Sequence, residues 1–497
     1  MSRDYRNFIS GEWVNSLSGE RFENRNPANR DELIGTFPRS GYEDVDMAVK
    51  SAREAFKERR LIPAPQRGNI IKKVGDILVE RKEEITKLMT KEMGKVLEET
   101  RGDVQEGIDT AYYAASEGRR LFGHTAPSEL RNKFNLSFRQ PIGVAGIITP
   151  WNFPMAIPTW KIFPALVSGN TVVFKPASDT PATAAVLVEI LLEAGVLPGA
   201  INLVNGLGTE VGTAIVEHPG VDLISFTGSS EVGRLIASGA GRDLKRISLE
   251  LGGKNAQIVM DDADIDLAVE GVLWGAFGTT GQRCTATSRL ILHEKVYDEL
   301  MEKLVERTSL LKLGDGLDRN VDVGPLINKT QRKKVSDYVE IGKEEGATLV
   351  IGGRIPDDER LEKGFFFEST IFENVKPDMR IAQEEIFGPV LSVIKVSSLE
   401  EGIEVMNNSE YGLSSSIYTR DVNGAFKAIR DIEAGITYIN GPTIGAEAHM
   451  PFGGVKNTGN GHREGGWTVF EFFTEIKTVY VDFSGKLQRA QIDTDKE

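Results

Sequence analysis

A chain of 497 residues is too long for one ordinary core, and at roughly 100–200 residues per domain it should fold as two or three packed units. Its 40% apolar and 27% charged residues are those of a globular protein, and no run approaches the ~20 continuous apolar residues that span a bilayer. A net charge of −14 argues against a nucleic-acid partner, and one cysteine excludes a disulfide framework or a cysteine-rich metal cage.

The opening MSRDYRNFISGEW mixes both charges and lacks the basic end and apolar stretch of a secretory signal, so a cytoplasmic protein is expected. The five histidines, His124, His218, His293, His449 and His462, include no pair with zinc-helix spacing, and no metal is expected. Between 66 and 123, helix-periodic and charge-rich stretches such as RKEEITKLMTKEMGKVLEETRGDVQEGID predict helices that cover a sheet. From about Pro141 apolar strands and helices then alternate. GVAGIITP, NTVVFKP, AINLVNG, VDLISFTG and RISLELGG read as strands; MAIPTWKIFPALVSG, ATAAVLVEILLEAG, TEVGTAIVEH and SEVGRLIASGAG read as the helices between and after them. Short Val/Ile-rich runs joined by amphipathic helices are the pattern of βαβ crossovers, hence of a doubly wound parallel sheet of the nucleotide-binding kind.

After Gly253 a second set begins, with SRLILHEK, ATLVIGG, GPVLSVIKV and GLSSSIYTR as strands and helices near 295–308, 331–345, 398–407 and 422–432. The expected fold class is therefore α/β: a doubly wound parallel-sheet cofactor-binding domain (1–132 and 144–253) and a second α/β catalytic domain (254–468). KFNLSFRQPIG and EFFTEIKTVYVDF read as strands outside both, in a small arm (133–143 and 469–490) whose exposed edges invite pairing with another subunit as a homo-oligomer, dimer or tetramer.

Glycine-rich turns between strand and helix recur at GLGTEVG (206–212) and FTGSSEVG (226–233), where N–H groups at a helix start can face a phosphate. Neither is the G-x-G-x-x-G fingerprint, and each alone reads equally as an ordinary turn; two at one edge of a parallel sheet point to a cofactor site. Cys284 follows a Gly-rich loop and stands beside Arg283, surroundings that would expose a thiol and favour its thiolate, although a lone cysteine is more often a packing residue. Glu250 ends an apolar strand before two glycines, so its carboxylate should emerge at the sheet edge. Asn152 lies between Pro150 and Pro154, which fix the backbone around an amide able to donate a hydrogen bond.

Seven motifs spread in order over nearly the whole chain, TPWNFP, VVFKPAS, FTGSSEVG, LELGGKN, GQRC, EEIFGPV and PFGGVKNTGNG, resemble the aldehyde dehydrogenase superfamily. The resemblance implies NAD(P)-dependent oxidation of an aldehyde to a carboxylic acid. Cys284 would attack the aldehyde carbon, Asn152 and the Cys284 N–H would hold the oxyanion, and Glu250 would activate the water that releases the thioester. It also implies cofactor contacts: Ile148 and Trp151 lining the site, Lys175 at the adenosine ribose, Gly208, Gly228, Ser229, Val232 and Leu251 around the pyrophosphate and nicotinamide, and Glu385 with Phe387 at the nicotinamide ribose. Relatives strict for NAD often carry a glutamate three residues after the lysine; here Ser178 stands there, so NADP is expected to be favoured with NAD tolerated, while Asp179 opposes a phosphate.

Arg283 and Glu106 look like the positions with which the aminoadipate-semialdehyde branch binds an amino-acid head group, and the chain also resembles ketoglutarate- and succinate-semialdehyde enzymes. The expected substrate is a carboxylate-bearing semialdehyde. The chain departs from the family after PFGG, where His462 is inserted between Gly461 and Arg463 and Thr458 replaces the commoner serine. Rival readings are a CoA-acylating enzyme, which would lack Glu250, a catalytically silent structural homologue, which would have lost a catalytic group, and a thiol hydrolase, which would need a histidine base.

Overall fold

The computed structural model describes residues 3–489, so the expected last residue of the arm, Ala490, lies outside the described residues. Two seven-stranded sheets dominate. In the first, Val144–Ile148 is central. Thr171–Lys175 and then Ile201–Leu203 lie on one side, and Leu223–Thr227 and then Arg246–Glu250 on the other, all parallel. The short strands Asn7–Ile9 and Glu12–Val14 extend the Ile201–Leu203 edge in antiparallel fashion.

Both faces of this sheet are covered, as its continuous apolar runs require. Along Thr171–Lys175, Val172 and Phe174 enter the core beneath the helices Ala64–Glu80, Leu97–Glu117 and Pro181–Ala194, while Val173 enters the core on the other side, beneath Tyr42–Arg59. The wholly buried helix Ala156–Ser168 is wedged between Leu97–Glu117 and the sheet.

In the second sheet six parallel strands run in the spatial order Thr370–Glu373, Val390–Val396, Arg289–His293, Ala256–Val259, Ser414–Tyr418 and Ile436–Ile439; Thr348–Ile351 adds an antiparallel edge. Ala256–Val259, Thr370–Glu373 and Ile436–Ile439 are four residues each, too short to show a period in sequence. A separate three-stranded sheet pairs Lys133–Pro141 with Thr474–Asp482 along their whole length, Lys133 opposite Asp482 and Pro141 opposite Thr474, and also takes in Thr125–Pro127. Its apolar residues Phe134, Ile476 and Tyr480 are more than half exposed.

The winding of the first sheet reverses at Val144–Ile148, and such a reversal opens a crevice beyond the carboxyl ends of the strands. The segment carrying Cys284 precedes Arg289–His293 at the amino edge of the second sheet. Glu250, at the carboxyl end of its strand, and Cys284 meet on the wall of one cavity between these two edges.

Candidate active site

The crevice of the first sheet gathers the residues expected at the cofactor. Ile148 and Lys175 end their strands; Trp151 and Asn152 follow the first, Ser178 the second. Gly208 opens a short helical turn, Gly208–Gly212. Ser229 caps the helix Ser230–Arg242, its Oγ accepting from Val232 N at 3.3 Å, and Val232 itself is exposed on the first turn. The Gly228 N–H donates to the Glu250 carbonyl at 3.0 Å, tying the turn to the strand that ends in Glu250 and is followed by Leu251.

From the second sheet come Glu385 and Phe387. The Phe387 ring meets Trp151 edge to face at 5.4 Å, and Glu385 Oε1 accepts from Gly253 N at 3.0 Å. Any side chain at Gly252 would collide with the Glu385 carboxylate, so a bare backbone lets Glu385 into the crevice. The Lys175 ammonium is buried and has no hydrogen-bond partner among the described residues; burial pushes it down to about 8 against the pull of Asp179. An unpartnered buried cation, a capped helix start and a carboxylate beside a bare glycine fit the phosphates and ribose hydroxyls of a dinucleotide.

Cys284 opens onto a cavity of about 1130 Å³, whose wall also holds Glu106, Phe153, Trp160, Glu250, Arg283, Phe452 and Glu464. Asn255 fixes the nucleophile segment, donating from Nδ2 to the Cys284 carbonyl at 2.7 Å and to Ala286 O at 3.0 Å while its Oδ1 accepts from Ser414 N. Asn152 is buried and donates to Gln282 O at 3.1 Å, which aims its amide toward the cysteine segment.

The structure corrects one expectation about the thiol. Arg283 does not turn toward Cys284. Its Nε donates to Thr279 Oγ1 at 2.9 Å, its Nη2 to Glu99 Oε1 at 3.4 Å, and its guanidinium lies 5.4 Å from the Phe153 ring centroid. Burial, with the negative charges of Glu250 and Glu385, pushes the Cys284 thiol up to about 12. The nucleophile rests as a thiol.

Glu250 is buried, and neither carboxylate oxygen has a partner among the described residues. Burial and the nearby Glu464 push its carboxyl well above the usual range, with Lys161 and Arg463 pulling the other way. Glu464 pairs with Lys161, whose Nζ also donates to Ser225 Oγ at 2.9 Å; lysine and glutamate side chains are almost wholly buried. A carboxyl raised by burial in a dry site is the kind of group matched to general-base work. Glu106 also lines the cavity; burial and Asp103 push it up to about 8 despite Lys95 and Arg283, and its Oε1 has no partner among the described residues.

A family model described as the aldehyde dehydrogenase family matches residues 13–479. The chain belongs to the aldehyde dehydrogenase family. It is 45% identical to the alpha-ketoglutaric semialdehyde dehydrogenase of Bacillus subtilis, covering 96% of this chain and 98% of that one. It is 44% identical to the alpha-ketoglutarate semialdehyde dehydrogenase of Haloferax volcanii, over 97% and 99%. Among solved structures, betaine aldehyde dehydrogenase from Staphylococcus aureus in complex with NAD+ superposes with a TM-score of 0.95 at 36% identity, covering 97% of this chain and 95% of that one. This aldehyde dehydrogenase is an oxidoreductase that oxidises an aldehyde with a nicotinamide cofactor. Among the described residues no helix is long and apolar enough to cross a membrane.

Residue chemistry alone misses the Lys161–Glu464 pair. One signal was present: Lys161 is the only charged residue in MAIPTWKIFPALVSG, and a lone cation in a buried helix needs a partner. Because Glu464 is the negative charge that helps raise Glu250, Glu464→Gln should move the acid limb of the aldehyde dehydrogenase pH–kcat profile to lower pH. Lys161, Arg463 and the Cys284 thiol, the other groups facing Glu250, stay in place. An unmoved or upward-moved limb would remove Glu464 from the electrostatics of the site.

Proposed function

We propose that this enzyme oxidises an ω-semialdehyde of a carboxylic acid to the corresponding dicarboxylate. The carrying observation is the placement of Arg283 beside Cys284 on one cavity wall. Its Nη1 has no hydrogen bond among the described residues, and its contact with Glu99 is long enough for a substrate carboxylate to compete. Glu106, expected from sequence to meet an ammonium, is protonated through most of the neutral range and so offers an O–H donor to a carboxylate or keto oxygen instead. Two of the relatives named above are alpha-ketoglutarate semialdehyde dehydrogenases by name, and a third, 42% identical, is the 2,5-dioxopentanoate dehydrogenase of Saccharolobus solfataricus.

In this reading the Cys284 sulfur attacks the aldehyde carbon, and the oxyanion is held by the Asn152 amide and the Cys284 N–H. The oxidised nicotinamide, when bound, accepts the hydride. Glu250 then takes a proton from the water that attacks the thioester, and the acid leaves as Cys284 is regenerated. Lys175, Ser229 and Glu385 would hold the adenosine ribose, pyrophosphate and nicotinamide ribose of the bound cofactor.

NADP is favoured and NAD accepted. No carboxylate stands at Ser178, whose hydroxyl donates to Gly206 O at 3.0 Å. The half-buried Asp179, raised above the usual carboxylate range by desolvation, is engaged by Asn328 at 3.0 Å. The first sheet and its helices serve as the cofactor domain, the second sheet as the catalytic domain, and the three-stranded sheet with its exposed apolar residues as the contact for a second copy. A reducing compartment, the cytoplasm, keeps Cys284 a free thiol.

The test is a panel of aldehydes with and without an ω-carboxylate, run with NAD+ and NADP+ in parallel and with Arg283→Gln beside the native enzyme. Carboxylate-bearing semialdehydes should lead by about 10-fold or more in kcat/KM, and that lead should collapse in Arg283→Gln, the size expected of a charged hydrogen bond of roughly 1.5–3 kcal/mol. Equal efficiency on simple aliphatic aldehydes, or a lead untouched by the substitution, overturns the substrate assignment. Coenzyme A in the same assay should leave the free acid as product.

A further inference from the structure

Thr279 and Thr280, with φ of 54° and 58°, are β-branched residues in the left-handed region, and Gly281 continues it at 66°. Threonine adopts that conformation only where its surroundings impose it. At Gly281 the conformation costs little, and no side chain fits, since the Gly388 carbonyl oxygen occupies the place a Cβ would take. At Thr280 the hydroxyl donates to Gly324 O at 2.9 Å. At Thr279 the constraint comes from a different element. Glu99, on the first turn of the helix Leu97–Glu117 and only 12% exposed in its side chain, accepts the Thr279 N–H at Oε1 at 2.5 Å. The same oxygen accepts from Arg283 Nη2, and Arg283 Nε closes the loop by donating to Thr279 Oγ1. One carboxylate thus holds both ends of the five residues that precede Cys284.

We infer that Glu99 is the positioning residue of the nucleophile segment: it holds Thr279–Arg283 in the strained path that sets both the Cys284 sulfur and the oxyanion donors. The Asn152 amide joins this control because it donates to the carbonyl of Gln282, inside the clamped segment. Gln282 is in turn pinned by its side chain, which accepts from Ile327 N at 2.9 Å. Without Glu99 the Thr279 N–H loses its acceptor, the left-handed pair relaxes, and Gln282, Asn152 and Cys284 shift together. The cofactor residues at the carboxyl edge of the first sheet do not touch the segment through Glu99.

The inference rests on Cys284 being the nucleophile, and the experiment separates the two. Native enzyme, Glu99→Ala, Glu99→Gln and Cys284→Ala are compared in three readouts: the pre-steady-state burst of reduced cofactor, the cofactor-free burst of nitrophenolate from p-nitrophenyl acetate, and NAD+ binding by tryptophan fluorescence. Glu99→Ala should lower both bursts about 100-fold with NAD+ affinity and melting temperature near native. Glu99→Gln, which keeps an acceptor for Thr279 N–H but loses the charge facing Arg283, should lower them about 10-fold. Bursts within twofold of native in both variants overturn the inference, as does a loss of NAD+ affinity and melting temperature in step with the bursts. If Glu99→Ala does not fold, Glu99→Gln decides alone, and a burst within twofold of native overturns it. A burst surviving in Cys284→Ala would instead sink the nucleophile assignment.

Discussion

Cys284→Ala is expected to reduce aldehyde oxidation by on the order of 10⁴-fold or more, to the limit of detection, while the cofactor still binds. Removing the sulfur deletes the atom that forms the covalent intermediate, and nothing nearby replaces it. Cofactor affinity should survive because the residues proposed to hold it, Lys175, Ser229, Glu385 and the Trp151–Phe387 pair, are positioned by the first sheet and by the segment before Val390–Val396, not by the cysteine. Tryptophan fluorescence titrated with cofactor checks binding; absorbance of reduced nicotinamide checks turnover. The raised thiol adds a second expectation on the native enzyme. With Cys284 pushed up to about 12, the thiolate fraction in the resting site rises about tenfold per pH unit through the neutral range, so alkylation by iodoacetamide should rise with pH without levelling below pH 8. An alkylation rate that plateaus near neutrality would mean the resting thiolate is stabilised after all.

That expectation also marks where sequence and structure part. The alternation of Val/Ile-rich strands with helices from Pro141 onward announced a parallel sheet, and the order of the motifs announced the family, because period and motif are local properties of the chain. The setting of the thiol is not local. Arg283 neighbours Cys284 in sequence, but two threonines in the left-handed region turn its side chain to Glu99, on a helix whose first residue is 187 positions before Cys284. Threonine carries no signal for that conformation; only the packed structure imposes it.

The same holds for Glu250. LELGGKN indicates a carboxylate at a strand end, but not its burial, nor the charges that act on it there, Glu464 raising it and Lys161 and Arg463 lowering it, which come from a helix and from the segment after PFGG. Lys161 was at least conspicuous as a lone cation in an apolar helix; nothing in GHREGG marks Glu464 as its partner. His462, inserted relative to the family pattern, packs its ring 5.1 Å from Phe472 on the side of Arg246, so the extra residue is absorbed beside the arm and leaves Glu464 facing Lys161. The departure from the family pattern thus lies at the edge of the site.

Glu250→Gln should leave the first turnover and slow the rest. In the proposed mechanism attack by Cys284 and hydride loss do not use the Glu250 carboxylate, so a burst of reduced cofactor near one equivalent per active site should remain. Steady-state acid release should fall roughly 10²–10⁴-fold, the usual worth of a general base. Rapid mixing followed by steady-state absorbance separates the phases, and loss of the burst in proportion to turnover would contradict the division of roles. The substitution should also change stability with a definite sign. Glu250 has its carboxyl raised above the ordinary 4.5 in the native state, so as pH rises past that value the unfolded chain ionises first and the native chain binds more protons. Native stability from this group is fully present below pH 4.5 and is lost as pH rises through the raised native value. Glutamine does not ionise and carries no such loss. Thermal melts of the two proteins should therefore agree near pH 4.5 and diverge at pH 8, with Glu250→Gln the more stable, a gain in stability obtained by giving up the buried carboxylate proposed as the general base. Melting temperatures that keep the same offset at both pH values would show that Glu250 is not desolvated as its burial implies.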